Sequence, residues 1–444
     1  MNNLVLVLFC AALIGCVAAH QSVLWALGFG FVLFCLTAWR KGSSPVELVR
    51  IVLDGLRVVS TVLVVFVFIG MVTASWRASG TVAALVAYSV DCLRADVFVP
   101  GVFFANALVS FLLGSSFATA ATVGVISMVS GQALGVPAAL TGGAVMSGIY
   151  FGDRCSFVSS SAMLVAALTH TDIFGNVLAM MRSAAIPLAA ALALYAAAGL
   201  AGPQASGAIP DVRAALESVY SLHPVTLVPA ALLLILALFR ASVFVAMGAS
   251  VLSAALIAVF LQGQAPGALL LSLAAGYRAE TEQAARLMDG GGIGSMVTVA
   301  AIVAISSSFA GLFRRTGMLD GVKSAAVTLS ARAGSFFSAA VTGTLMAAVA
   351  CNQTLAIMLT HEICRDEVSN ARKLAVTLED TAVVIPALIP WAIACSVPLA
   401  TIGAEHDALI FAWYLYLIPL WGVTRSLAVR LVKSHRPHGQ GFLR

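Results

Sequence analysis

The sequence predicts an all-α polytopic membrane protein of roughly 10–13 transmembrane helices, built as two repeats with broken helices. Three observations carry this: a composition too oily for a soluble domain, a series of apolar stretches near membrane-spanning length, and polar interruptions that occur twice in the same order.

Of 444 residues, 61% are hydrophobic and 10% charged, and the mean hydropathy is +1.02. Soluble domains carry about a quarter charged residues. In chain order the apolar stretches are Leu4–Ala19, Ser22–Trp39, Val58–Trp76, Val97–Leu113, Val177–Leu200, Val225–Phe239, Ser242–Leu261, Gly294–Phe313, Ser335–Cys351 and Ala408–Val423. The first contains "LIGC", which resembles a lipoprotein cleavage box, but Met1-Asn2-Asn3 supplies no positive n-region, so the stretch is expected to persist as a helix.

The net charge of +5 sits in short loops and the tail, where it orients a membrane protein; it is no nucleic-acid signal. Arg40, Lys41 and Arg50 mark one cytoplasmic loop, and Arg425, Arg430, Lys433, Arg436 and Arg444 a cytoplasmic tail. Both termini are thus expected in the cytoplasm, with an even number of crossings of the cytoplasmic membrane. Glu47, Arg50, Asp54 and Arg57 fall at helical spacing and are expected to pair along one solvated face. The eight cysteines are scattered without a C-x-x-C pair and read as reduced packing residues; neither a metal centre nor a cofactor is expected. His170, beside Thr171 and Asp172, reads as a solvated loop histidine.

The repeat starts with "WRASGTVAALV" from Trp76 and "FRRTGMLDGVK" from Phe313. About 34 residues beyond Gly80 and Gly317 come polar breaks, "GSSFATAATVG" from Gly114 and "CNQTLAIMLT" from Cys351. Acidic segments follow each, "GDRCSFVSSSAML" from Gly152 and "EDTAVVIPALIPW" from Glu379. Repeat one spans about 58–200 and repeat two about 294–432. Paired interruptions of this kind point to a secondary transporter with one solvated site near the midplane.

Asp153 is either a loop acid paired with Arg154 or a carboxylate in the transport cavity. Ser156, Ser159, Ser160 and Ser161, like Ser116 and Thr119, offer hydroxyl ligands or tight helix packing. Asn352, Gln353 and Thr354 form the second break, and a primary amide in lipid needs partners. Glu379 and Asp380 are the strongest signal. Neighbours on a helix point about 100° apart, so one acid is expected toward the cavity and the other toward Arg372-Lys373. Pro386 and Pro390 remove helix hydrogen bonds and free carbonyls as cation ligands. A carboxylate that holds either a proton or a small cation is the chemical basis of antiport.

With "GMVTASWRASGTV", "GSSFATAATVGV", "GAVMSGIYFGDRCS", "SSSFAGLFRRTGML", "CNQ" and above all "TLEDTAVVIPALIPW", the chain resembles the NhaC-type sodium/proton antiporter family, within the ion-transporter superfamily, over roughly Ile69 to Trp421. The resemblance implies inverted halves, and a family of sodium/proton exchangers with some members that couple sodium and protons to small organic acids. One departure stands out. Where the family continues proline-leucine-serine-aspartate-threonine-threonine-asparagine, this chain has Phe157 to Met163, with Ser160 at the aspartate and Met163 at the asparagine.

The expectation is therefore a cation/proton antiporter. Asp380 or Glu379 exchanges the proton, and Asp153, Asn352 and nearby hydroxyls complete the site. The partners are sodium or another monovalent cation, protons and membrane lipids; a homodimer is compatible with this. The alternative is a sodium- or proton-coupled carrier of a small organic acid or amino acid. An intramembrane protease is disfavoured: "YFGD" has Tyr150 where such a motif needs glycine, and no H-E-x-x-H occurs.

Overall fold

The computed structural model describes residues 2–19, 21–92, 95–157, 159–201, 217, 219–239, 241–279, 285, 288–317, 328–329, 334–368 and 370–434. Among them the architecture is helical throughout, with one isolated β-bridge between Tyr277 and Gly290. The chain is an all-α polytopic membrane protein.

Helices α1 (Asn2–Ala18) and α2 (Val23–Arg40) form an antiparallel hairpin. Phe9 and Phe34 of that hairpin stack edge-on with Phe309, at centroid distances of 5.0 to 5.4 Å. Helix α3 (Pro45–Ala78) is longer than the expected span, because Ser44 caps it by accepting from Glu47 N and Pro45 suits its first turn. The charged face from Glu47 to Arg57 therefore continues the spanning helix. Only part of its expected pairing forms: Arg57 meets Asp54 at 3.3 Å, but Glu47 binds Arg315 across the bundle at 2.7 Å. The sequence spacing could not anticipate a partner 268 residues away.

Next come α4 (Thr81–Cys92), α5 (Ala95–Leu113), α6 (Ser116–Thr119), a π-helical turn at Ala120–Gly124, and α7 (Val125–Ala133). They lead to α8 (Ala138–Cys155), α9 (Ser160–Thr169) and α10 (Ile173–Ala201). Then follow α11 (Val228–Leu238), α12 (Val243–Phe260), α13 (Pro266–Ala275), α14 (Val297–Ser307) and α15 (Phe309–Thr316). The remainder comprises α16 (Ser335–Ala350), α17 (Gln353–Cys364), α18 (Ala371–Leu378), α19 (Ile393–Ile402) and α20 (Trp413–Ser434).

Among the described residues four helical stretches are long and apolar enough to cross a membrane alone, and a fifth crossing arises if Ala371–Leu388 and Ile393–Ile402, bent by 55°, count as one span. Two stretches expected as independent spans keep their expected ends, but they are among the shorter apolar helices and close on left-handed tips. Stretch Val97–Leu113 stops at Gly114 (φ +65) and Ser335–Cys351 at Cys351 (φ +55). Beyond each tip a polar side chain caps the next helix: Ser115 Oγ accepts from Ala118 N at 3.3 Å, and Asn352 Oδ1 from Leu355 N at 3.2 Å. The hairpin α16–α17 packs against the segment after α18, and α5 lies along α8. Seven described cysteines are free thiols. The tail residues Arg436, His435, His438 and Arg444, and the second repeat's "MLDGVK", lie outside the described residues.

Candidate functional site

The deepest polar residues converge where α8, α17 and the segment after α18 meet. Helix α8 brings Asp153 and Arg154 there because its glycines admit close neighbours. A Cβ on Gly152 would lie 2.2 Å from the Ser110 carbonyl carbon, and one on Gly148 would lie 2.7 Å from Phe103 O. The buried Tyr150 hydroxyl anchors the same helix by donating to Ala394 O across the α19 break. After Cys155 the helix stops, and Ser159 caps α9 by accepting from Ala162 N at 3.4 Å.

Asp153 is buried in a hydroxyl–amide cage. Its Oδ1 accepts from Ser159 Oγ at 3.2 Å and its Oδ2 from Gln353 Nε2 at 3.3 Å. Ser161 Oγ donates to the Asp153 carbonyl at 3.1 Å. Gln353 Nε2 also donates to Val383 O at 2.7 Å, so one amide ties the α16–α17 tip to both broken helices. Ser116 is buried with its backbone toward the Asp153 carboxylate.

The segment after α18 is a π-helix over Glu379–Val383 that passes into a 3-10 turn over Ile385–Leu388. Pro386 has no N–H to return to Ala382 O, so the regular ladder cannot continue. Val384 N instead donates to Thr381 O at 3.1 Å. Pro390 lies in the bend before α19. π-turns concentrate at functional sites, and this one carries both acids.

The two acids have opposite environments. Asp380 Oδ1 forms a buried ion pair with Arg154, with Nε at 3.0 Å and Nη2 also donating, and accepts from Ser183 Oγ at 3.4 Å. Arg154 is itself fully buried and further donates to Ser183 Oγ, Met180 O, Tyr414 Oη and Cys155 Sγ. Glu379 is buried with no hydrogen-bond partner on either oxygen. Its electrostatic neighbours are Arg154, Asp153 and Asp380. Glu379 and Asp380 thus share one guanidinium, with Asp153 a third carboxylate close to Glu379. Such a group costs several kcal/mol as an isolated ion.

The structure corrects three expectations. Arg154 does not pair with its neighbour Asp153, since side chains of adjacent helical residues diverge; it reaches Asp380. Asp380 does line a cavity with Arg372 and Lys373, but its ion-pair partner is Arg154 rather than either of them. Ser160 is exposed and outside the Asp153 cage, and Met163 is 49% exposed, so both family departures face away from the cluster. Ser156 is buried at the α8 end. Thr119 Oγ1 bonds back to Ser115 O at 2.8 Å, and Asn352 serves as a helix cap. Thr354 is exposed.

Two cavities approach the cluster. One of about 1030 Å³ reaches Asp380; the other, about 860 Å³, reaches Asn352 and Thr354, and His170 borders both. Among the described residues no group of three or more His, Cys, Asp or Glu side chains is placed to hold a metal ion.

Residues 148–425, which contain every acid and amide of this cluster, match the sequence profile of the Na+/H+ antiporter family. The chain belongs to that family. Its curated relatives include the Na(+)/H(+) antiporter NhaC of Alkalihalophilus pseudofirmus, 29% identical over 392 residues, covering 86% of this chain and 84% of that protein. The arginine/ornithine antiporter ArcD of Halobacterium salinarum is 27% identical over 385 residues, covering 84% and 79%. The malate-2H(+)/Na(+)-lactate antiporter of Bacillus subtilis is 24% identical over 376 residues, covering 82% and 80%. The family is one of transporters. Sequence reasoning missed the roles of Arg154, Ser183 and Tyr414 in it; only the run "GDR" hinted at the first, and nothing in the sequence marks the other two.

Proposed function

We propose that this chain exchanges sodium for protons across the cytoplasmic membrane. The observation that carries the reading is Glu379, buried and unpartnered beside Asp153 and the Arg154–Asp380 pair. In the proton-loaded state Glu379 is neutral. When the proton leaves, sodium takes its place on Glu379 and Asp153, with Gln353 Oε1 and the Ser159 hydroxyl as neutral oxygen ligands. Occupancy by one ion excludes the other, and Arg154 keeps Asp380 compensated throughout. Two relatives are named for arginine/ornithine and for malate/lactate exchange, which lends some support to a second reading, a carrier that couples the ion to a small organic solute.

Alternating access follows from two inverted repeats, about 58–200 and 294–432. Gly80 and Gly317 are both left-handed, and each is followed about 34 residues later by a left-handed tip and a capping side chain. The basic residues Arg182, Arg372, Lys373 and Arg425 share one end of the bundle, which supports a cytoplasmic assignment for that end and for the C-terminus. In everted membrane vesicles holding a preformed pH gradient, added sodium should dissipate the gradient in a saturable way. A chain that gives no response to sodium, lithium or potassium does not perform this exchange.

A further inference from the structure

The 1030 Å³ cavity has a charge pattern unsuited to a sodium path alone. Arg182 comes from α10, Arg372 and Lys373 from α18, and Arg425 from α20, and all four face it. Its two carboxylates are already engaged: Asp172 Oδ2 accepts from Gly175 N at 2.7 Å, and Asp380 is held by Arg154. Among the described residues none of the four cationic side chains has an ion pair. Of these four, Arg425 is the cation whose field reaches Asp380, after that of Arg154.

Unpaired cations around a cleft with low-dielectric walls focus positive potential, repel sodium and concentrate anions. Retention of positive residues at the cytoplasmic end explains their sign. It does not explain why three helices aim them into one recess that ends on the transport cluster. Guanidinium forks match carboxylate oxygens two at a time, and a volume near 1030 Å³ admits a solute of several carbon atoms.

We propose that this cavity is a binding vestibule for a small organic anion bearing carboxylate groups, held among Arg182, Arg372, Lys373 and Arg425. It rests on the transport reading only in placing the vestibule on the solute pathway. The test uses the full chain in nanodiscs of neutral phosphatidylcholine and measures binding of radiolabelled succinate. Saturable binding is expected, weakened at least about tenfold by Arg425→Gln, the loss of one charge-assisted hydrogen-bonding group. Arg182→Gln, an exposed change that spares the core, provides the second variant and should weaken binding in the same direction.

Absence of saturable succinate binding overturns the proposal, as does binding that both variants leave unchanged. Inorganic phosphate binding as tightly as succinate would overturn the carboxylate assignment. If succinate binds nowhere while phosphatidylglycerol alone stabilises the chain, the cations serve lipid headgroups. Sodium-driven proton flux measured in parallel separates the two readings. Intact flux without succinate binding removes only the vestibule, and succinate binding without flux removes only the exchange.

Discussion

Replacing Arg154 with glutamine removes the only guanidinium in the cluster and strands Asp380. The geometry sets the magnitude: Arg154 is fully buried and donates to Asp380, Ser183, Met180 O, Tyr414 and Cys155. Breaking a buried pair by removing one partner costs about 3–5 kcal/mol, because the other charge is left uncompensated. Arg154→Gln should therefore lower the midpoint of unfolding strongly in a denaturant titration of the purified, detergent-solubilised chain. Adding Asp380→Asn should return about 1.5–3 kcal/mol of that loss, since the stranded charge disappears with it. A single variant costing under about 1 kcal/mol, or two variants whose effects simply add, would refute the buried-pair reasoning.

Glu379→Gln discharges an unpaired buried carboxylate, so stability should hold or rise by about 1–3 kcal/mol in the same titration; a large loss would mean the carboxylate has a partner. Gln353→Leu severs the link from Asp153 to Val383 O. It should cost about 1–3 kcal/mol and raise the sodium concentration needed for half-maximal flux, whereas an unchanged sodium dependence would place the amide outside the pathway. Gly152→Ala forces a Cβ to 2.2 Å from the Ser110 carbonyl carbon. The backbone there cannot yield, so a loss of about 3 kcal/mol or more is expected, read as poor accumulation of monodisperse protein.

Helix positions were legible wherever a local signal stood at the end of an apolar run. The expected stretch Ser22–Trp39 appears as Val23–Arg40 because Ser22 caps it and Arg40 closes it. The breaks at Gly114 and Asn352 were visible as polar residues in oily surroundings, and their matched spacing suggested the repeat. What the sequence could not supply is pairing across the bundle. Hydropathy made Val97–Leu113 and Ser335–Cys351 look like crossings, since a turn at a tip leaves the composition of each arm unchanged. In the site, Asp153, Gln353, Glu379 and Asp380 were legible as costly polar groups in apolar context. The division of labour between Glu379 and Asp380 was not, because it depends on Arg154 reaching over 226 residues of chain to one acid and not its neighbour. Ser160 shows the converse error: a family position drew attention that its outward orientation does not support.

The exchange mechanism depends on the unpaired acid. Uptake of radioactive sodium into proteoliposomes, driven by an outward proton gradient, compares the native chain with Glu379→Gln under matched reconstitution. The mechanism predicts that uptake falls to the level of protein-free liposomes while the variant remains folded and monodisperse. Gradient-driven sodium uptake at the native rate in Glu379→Gln would contradict it.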